Sequence, residues 1–248
     1  MPQPANRSDV VYTVLRRAVI EQALLPGAKL LEDELGLHFG VSRTIVRAAL
    51  QRLAGDGLVE MKAKRTATVA RPSLDEARAI FEVRRCLERE AIRLVVARWR
   101  PEFGAELEGH LRDEEQAAKQ QDKALSIRLA GEFHIRLAEM SGNPLLLRYV
   151  SEVVSRCSLI LAVFGRPHSS DCGIHEHRDV IAALRSGDVE RAVAVMDHHV
   201  ALVESRALIA EDGAAPDLGA IIGRYMPQNR RNGVVRIRAP RAPRKEAS

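Results

Sequence analysis

Apolar residues in the first part of the chain recur three and four apart. Val10, Val11, Val14, Leu15 and Ala18 form one such stripe, which predicts a helix capped at Ser8-Asp9 and ended by Pro26-Gly27. "LLEDELGLHFG" predicts a short second helix, with three acidic residues in its first turn and Gly40 as its stop. "VSRTIVRAALQRLAGDG" predicts a third helix. Ser42 is its N-cap, Ile45, Val46, Ala49, Leu50 and Leu53 are its apolar stripe, and Gly55-Asp56-Gly57 is its end. The period then falls to two in "LVEMK" and "TATVAR", a β-hairpin turning through the basic "AKR".

From Pro72 the pattern is helical throughout. It predicts helices over roughly 74–99, 101–121, 123–141, 144–164, 173–186 and 188–211, separated at Pro101, Gly142-Asn143-Pro144, Gly165-Arg166-Pro167 and Gly187. Six helices without strands imply an antiparallel bundle. The fold class expected is therefore mainly α, with a winged helix-turn-helix of three helices and a hairpin ahead of an all-α bundle. The expected domains are 1–71, a winged helix-turn-helix; 72–212, an all-helical bundle; and 213–248, a basic, disordered tail.

Composition changes this picture in three places. Aromatic residues are only 4% of the chain, so the core must be built from Leu, Val, Ile and Ala. The formal charge of +5 is unevenly spread: residues 1–71 carry +4, residues 72–212 carry −5 and residues 213–248 carry +6. Basic ends suit a polyanion, whereas the acidic middle does not. Cys86, Cys157 and Cys172 are odd in number and far apart, form no metal knuckle, and fit a structural role in a reducing cytoplasm. No apolar run reaches the ~20 residues of a membrane span, and the first residues do not read as a secretion signal.

In a winged helix-turn-helix the second helix of the pair enters the major groove. Arg43 and Arg47 are four apart on that helix and share the face opposite its apolar stripe. Arginine can bond bidentately to guanine edges, while the hydroxyls of Ser42 and Thr44, with Lys64 and Arg65 in the wing, can position phosphates. The stretch "LLEDELGLHFGVSRTIVRAALQRLAGDGLVE" resembles the DNA-binding domain of the GntR family of bacterial transcription regulators. The resemblance places Ser42, Arg43, Thr44 and Arg47 on the family's DNA-contacting positions. It also marks departures: Asp33 stands where many members carry a DNA-contacting Arg, Ile45 and Ala48 replace a Pro and a Glu, and Thr66 replaces a wing-tip Gly.

Candidate chemistry in the second half centres on histidine. His134 has Ala130, Gly131, Leu137 and Ala138 three and four residues away; His177 has Ile174, Val180 and Ile181; His199 has Val195, Met196, Leu202 and Val203. All three sit on buried stripes. His175 faces water beside Arg178 and Asp179, and His198 lies at a stripe's edge. Three buried imidazoles each need a partner. Either each is a hydrogen-bonded core residue, or one divalent ion serves all three and leaves a fourth position open.

"EVRRCLEREA", "EFHIRLAEMSGNPLL", "EHRDVIAALRSGDVERA" and "MDHHV" resemble the FCD effector-binding domain of FadR-like GntR regulators. That resemblance implies a divalent metal (Zn, Mn or Ni) on His134, His177 and His199. The family's Asp ligand, one turn before the first His, is here Ala130, and Glu132 lies on another face. It further implies a small carboxylate effector, for which Arg84 is the candidate contact; the competing reading pairs Arg84 with Glu88 on the helix surface. Asn143 reads as a helix cap.

Taken together, the sequence is identified as a non-enzymatic, dimeric regulator that binds a palindromic operator in double-stranded DNA and responds to an organic acid, with no membrane partner. Two other readings stand beside it. One is a small metal-dependent hydrolase in which the three histidines activate water, though no H-E-x-x-H or poised carboxylate supports it. The other is a metal-free regulator with an apolar effector.

Overall fold

The structure is a computed structural model that describes residues 7–165 and 170–208, without the side chains of residues 170–172. The tail expected to be disordered lies outside the described residues. The winged part runs α1 (Arg7–Ile20), β1 (Lys29–Leu30), α2 (Glu32–Phe39), α3 (Arg43–Gly55), β2 (Val59–Glu60) and β3 (Ala67–Val69). The helical part runs α4 (Leu74–Ala97), α5 (Pro101–Lys119), α6 (Lys123–Met140), α7 (Pro144–Phe164), α8 (Ser170–Ser186) and α9 (Val189–Leu208).

Local chemistry sets most boundaries. Gly40, in the left-handed region at φ 62°, closes α2, and Gly57 at φ 73° turns the chain out of α3. Ser73 and Glu76 form a reciprocal capping box at the start of α4. The side chain of Asn143 accepts from the backbone N–H groups of Leu145 and Leu146, which is the cap expected of it.

Four details differ from the sequence reading. Helix α1 ends at Ile20, well before Pro26-Gly27, because Gln22 turns the chain at φ 58°. Ser8 lies inside α1 rather than in front of it. Ser42 occupies the N-cap of α3, but its side chain makes no capping hydrogen bond. The hairpin is joined by a third strand, giving an antiparallel sheet of order β1-β3-β2 with Lys29 opposite Thr68 and Val59 opposite Val69. A two-residue strand is too short to leave a period in the sequence.

The winged part packs Val11, Leu15 and Val19 of α1 against Val46, Leu50 and Leu53 of α3. Leu159 of α7 completes that core, so the bundle supplies part of the winged unit's interior. Polar contacts reinforce the seam: Arg16 donates to Ser155 Oγ at 2.6 Å, Arg128 to Glu21 at 3.0 Å, and Arg156 to the carbonyl of Asp56 at 3.1 Å. The bundle core is Phe81, Ile92, Leu107, Phe133, Leu184 and Met196 with their neighbours. Full burial of side chains this large is worth about 1.5–3 kcal/mol each. Among the described residues no helix is long and apolar enough to cross a membrane.

Candidate DNA-reading face and candidate metal centre

Helix α3 buries Val46, Ala49, Leu50 and Leu53, which turns Arg43, Thr44 and Arg47 outward on the opposite side, with Ser42 exposed ahead of them. The two arginines are not bare. Arg47 donates through Nε and Nη2 to the two carboxylate oxygens of Glu32, each at 2.9 Å, a bidentate fork. Arg43, the first residue of α3, is ion-paired through Nε with Asp33. Glu32 and Asp33 come from the acidic first turn of α2, which the sequence reading noted without assigning it partners. Lys64 and Arg65 are exposed at the wing tip, where Lys64 adopts φ 59°. Between α2, α3 and the wing lies a cleft of ≈ 630 Å³ whose lining includes Glu32, Asp33, Arg43, Arg47, Lys64 and Arg65.

The second site lies inside the bundle. His134 on α6, His177 on α8 and His199 on α9 are all buried, and one ligand nitrogen from each falls within 4.8 Å of the others. Each imidazole is held from behind by a different glutamate. His134 Nδ1 is 2.6 Å from Glu88 on α4, His177 Nδ1 is 2.9 Å from Glu114 on α5, and His199 Nδ1 is 2.7 Å from Glu176 on α8. A carboxylate accepts, so each Nδ1 carries the proton and each Nε2 is left with its lone pair. His134 Nε2 and His199 Nε2 face one another at 3.1 Å. With both Nδ1 atoms donating to carboxylates, the two Nε2 lone pairs point at one another across this gap.

Electrostatics keep the donors in ligand form. Burial lowers the pKa of His134 to about 3 against the pull of Glu88, and burial lowers that of His199 to about 4 against the pull of Glu176. Although burial opposes ionisation, the Arg84 guanidinium and the hydrogen bond from His134 hold Glu88 well below the usual carboxylate range. Glu114 sits at about 2: its hydrogen bonds to His110 and His177 outweigh burial. His177 stacks on Phe133 with ring centroids 3.9 Å apart, which fixes its plane. Three oriented imidazoles, each backed by a carboxylate, fit a divalent metal.

Arg84 does not lie on the helix surface. It is buried, donates through Nε to Glu88 at 2.5 Å and hydrogen-bonds Cys157, so the surface-pair reading is replaced by a buried pair one step from His134. His175 and His198 are exposed, and Glu132 pairs with Arg128. Ala130 brings no donor. From the sequence Glu88 was a partner for Arg84 alone, and its bond to His134 was missed, as were Glu114, Glu176 and His110, whose Nδ1 accepts from Arg136 and whose Nε2 donates to the carbonyl of Leu129. Glu176 had a signal, since it stands between two histidines in "HEH". Glu114 had none.

The profile of the gntR family of bacterial regulatory proteins matches residues 7–69, and that of the FCD domain matches residues 79–202. The chain is 32% identical over 211 residues to an HTH-type transcriptional regulator in an unstable DNA locus of Streptomyces ambofaciens, spanning 80% of this chain and 83% of that one. It is 30% identical to the Nta operon transcriptional regulator of Aminobacter aminovorans (70% and 81% covered) and 24% identical to the HTH-type transcriptional repressor RspR of Escherichia coli (80% and 86%). Among solved structures, E. coli McbR/YncC superposes with a TM-score of 0.72 at 23% identity, covering 80% of this chain and 95% of that one. A GntR transcriptional regulator from Rhodococcus sp. RHA1 gives the same score and identity, with 82% and 98% covered.

Proposed function

This chain belongs to the GntR family of bacterial transcription regulators, with a DNA-binding helix-turn-helix followed by an FCD effector domain, and from that premise we propose how its two sites work. Regulators of this family are not enzymes, which sets the hydrolase reading aside. The protein acts in the cytoplasm as a homodimer on a palindromic operator, since two identical reading heads match two symmetric half-sites. Arg43 and Arg47 read base edges, Ser42 and Thr44 bond nearby groups, and Lys64 and Arg65 hold the backbone.

In the bundle, His134, His177 and His199 hold one divalent metal of the Zn, Mn or Ni type. The observation that carries this reading is the convergence of three imidazoles whose Nδ1 atoms are each committed to a glutamate. Three neutral ligands leave the ion its full charge, and Ala130 adds no anion. An effector carboxylate is therefore the natural partner, with Arg84 as the second cation beside it. Effector binding controls the operator complex by favouring one arrangement of the dimer over another.

The test is the metal content of protein purified without chelator or affinity-column metal, beside a His134→Ala/His177→Ala control. Near one equivalent, lost in the control, supports the reading. No metal after addition of Zn²⁺, Mn²⁺ or Ni²⁺ overturns it and makes the histidines hydrogen-bonding groups of an organic pocket.

A further inference from the structure

We infer that Asp33 is a specificity-determining residue for DNA binding: its carboxylate holds Arg43 by Nε, repels phosphate, and leaves the terminal nitrogens of Arg43 to a base edge. The inference rests on the assignment of Arg43 to DNA contact, and goes beyond it by giving the residue beneath Arg43 a role.

The geometry has three parts. Asp33 and Arg43 are ion-paired across the turn of the helix-turn-helix, and their side chains are 66% and 69% exposed. A pair so exposed adds little to stability, and water or DNA can break it at small cost. The pair decides instead what charge this face presents. Glu32, one residue earlier, pairs with Arg47 through a two-bond fork, so both arginines of the reading face carry a matched carboxylate. In the winged part, the exposed cations without such a fork on this cleft include Lys64 and Arg65 at the wing tip.

The chemical consequences follow. A phosphate approaching Arg43 meets the Asp33 carboxylate as well, and like charges repel. Sequence-independent attraction at this point is therefore suppressed, and falls to the wing. Guanine differs from phosphate because it is uncharged and offers two acceptors, O6 and N7, in one plane. With Nε tied to Asp33, the terminal nitrogens of Arg43 are the edge left to meet them. The carboxylate can also accept from the amino group of a neighbouring cytosine. Neutralisation and recognition thus pull the same way: general affinity is given up, and discrimination rises. A cation at the first residue of a helix also opposes the helix dipole, and Asp33 offsets that charge without removing the guanidinium.

The experiment uses the full-length protein. A duplex selected from a random-sequence library is compared with the unselected pool by fluorescence anisotropy over a series of salt concentrations. The proteins are the unmodified chain, Asp33→Asn, Asp33→Ser, Arg43→Ala and the Asp33→Asn/Arg43→Ala double variant. The expected result is that both Asp33 variants bind the unselected pool more tightly. Their logarithmic salt slope should steepen by roughly 0.9, the value of one added phosphate contact. The selected-to-unselected affinity ratio should fall by about tenfold, the scale of one mispaired base position. None of these changes should appear when Arg43 is already Ala. The inference is overturned if the ratio is unchanged, or if Asp33→Asn has the same effect with Arg43 absent, because the carboxylate would then only repel DNA directly. Retention of full selected-duplex binding by Arg43→Ala alone would instead overturn the assignment of Arg43 to DNA.

Discussion

His134 and Glu88 are joined by a 2.6 Å hydrogen bond between Nδ1 and Oε2 that both residues keep from solvent, each side chain being only 3% exposed. The second oxygen of Glu88 accepts from Arg84. One glutamate therefore serves a buried guanidinium and a candidate metal ligand at once, and the two roles separate by mutation.

Glu88→Gln keeps the shape and removes the charge. It leaves the buried guanidinium of Arg84 uncompensated, for which the expected cost is about 3–5 kcal/mol. Arg84→Met together with Glu88→Gln removes both charges and should recover most of that loss, since apolar replacement of a buried pair is close to neutral. Urea unfolding of the metal-free proteins measures both. A silent Glu88→Gln would mean that the pair is solvated in solution.

Glu114 offers the complementary case, because the groups on its carboxylate are histidines, His177 and His110. Glu114→Gln still presents an acceptor to His177 Nδ1 but makes the imidazole less basic. Metal affinity should fall by about 10- to 100-fold while the helical circular dichroism is retained. Competition against a chromogenic chelator reads the change. Equal affinity would show that His177 is fixed by its stacking on Phe133 alone.

How far the sequence led can be judged from these residues. The period of three and four put His134, His177 and His199 on buried stripes, while their meeting at one place was implied only by the resemblance to the FCD domain. It also placed Arg43 and Arg47 outside α3. What it could not give was partnership across elements. Glu114 sits 63 residues from His177, and a charged residue in a helix reads as a solvated face unless its partner is known. Asp33 and Glu32 likewise read as an acidic first turn, the ordinary complement of a helix N-terminus, and their hold on α3 depends on the tight turn at Gly40. Leu159 reads as bundle core, yet it packs in the core of the winged unit, while Cys157 and Ile160 on the same helix join the bundle core; a helix that buries two faces against two partners leaves no sign in the sequence of which face meets which.

The buried histidines also set a pH dependence. In the folded protein the pKa of His134 is about 3 and that of His199 about 4, both depressed by burial from 6.5. The unfolded chain therefore binds protons first as pH falls, so the stability is fully present above about 6.5 and is lost progressively toward the folded values. Chelator-treated protein should unfold at lower urea at pH 5 than at pH 7. Replacement of His134 by Asn should flatten that slope. A midpoint independent of pH over this range would mean that the imidazoles are open to water.

The seam between α3 and α7 supplies the last test. Gly57 and Gly27 both sit in the left-handed region, at φ 73° and 86°, so alanine at either is strained by about 1 kcal/mol. Their surroundings differ. A Cβ at Gly27 meets nothing within 4 Å, whereas one at Gly57 would fall 2.4 Å from the guanidinium of Arg156. Arg156 would have to move, giving up its bond to the carbonyl of Asp56, the residue that closes α3. Gly57→Ala should therefore destabilise the protein by about 1 kcal/mol more than Gly27→Ala, the value of one such hydrogen bond. In an Arg156→Ala background the two glycines should become equivalent. Urea unfolding of the four variants measures the difference. If Gly57→Ala remains the costlier change without Arg156, the excess belongs to the turn itself, and the guanidinium does not clamp the end of the reading helix.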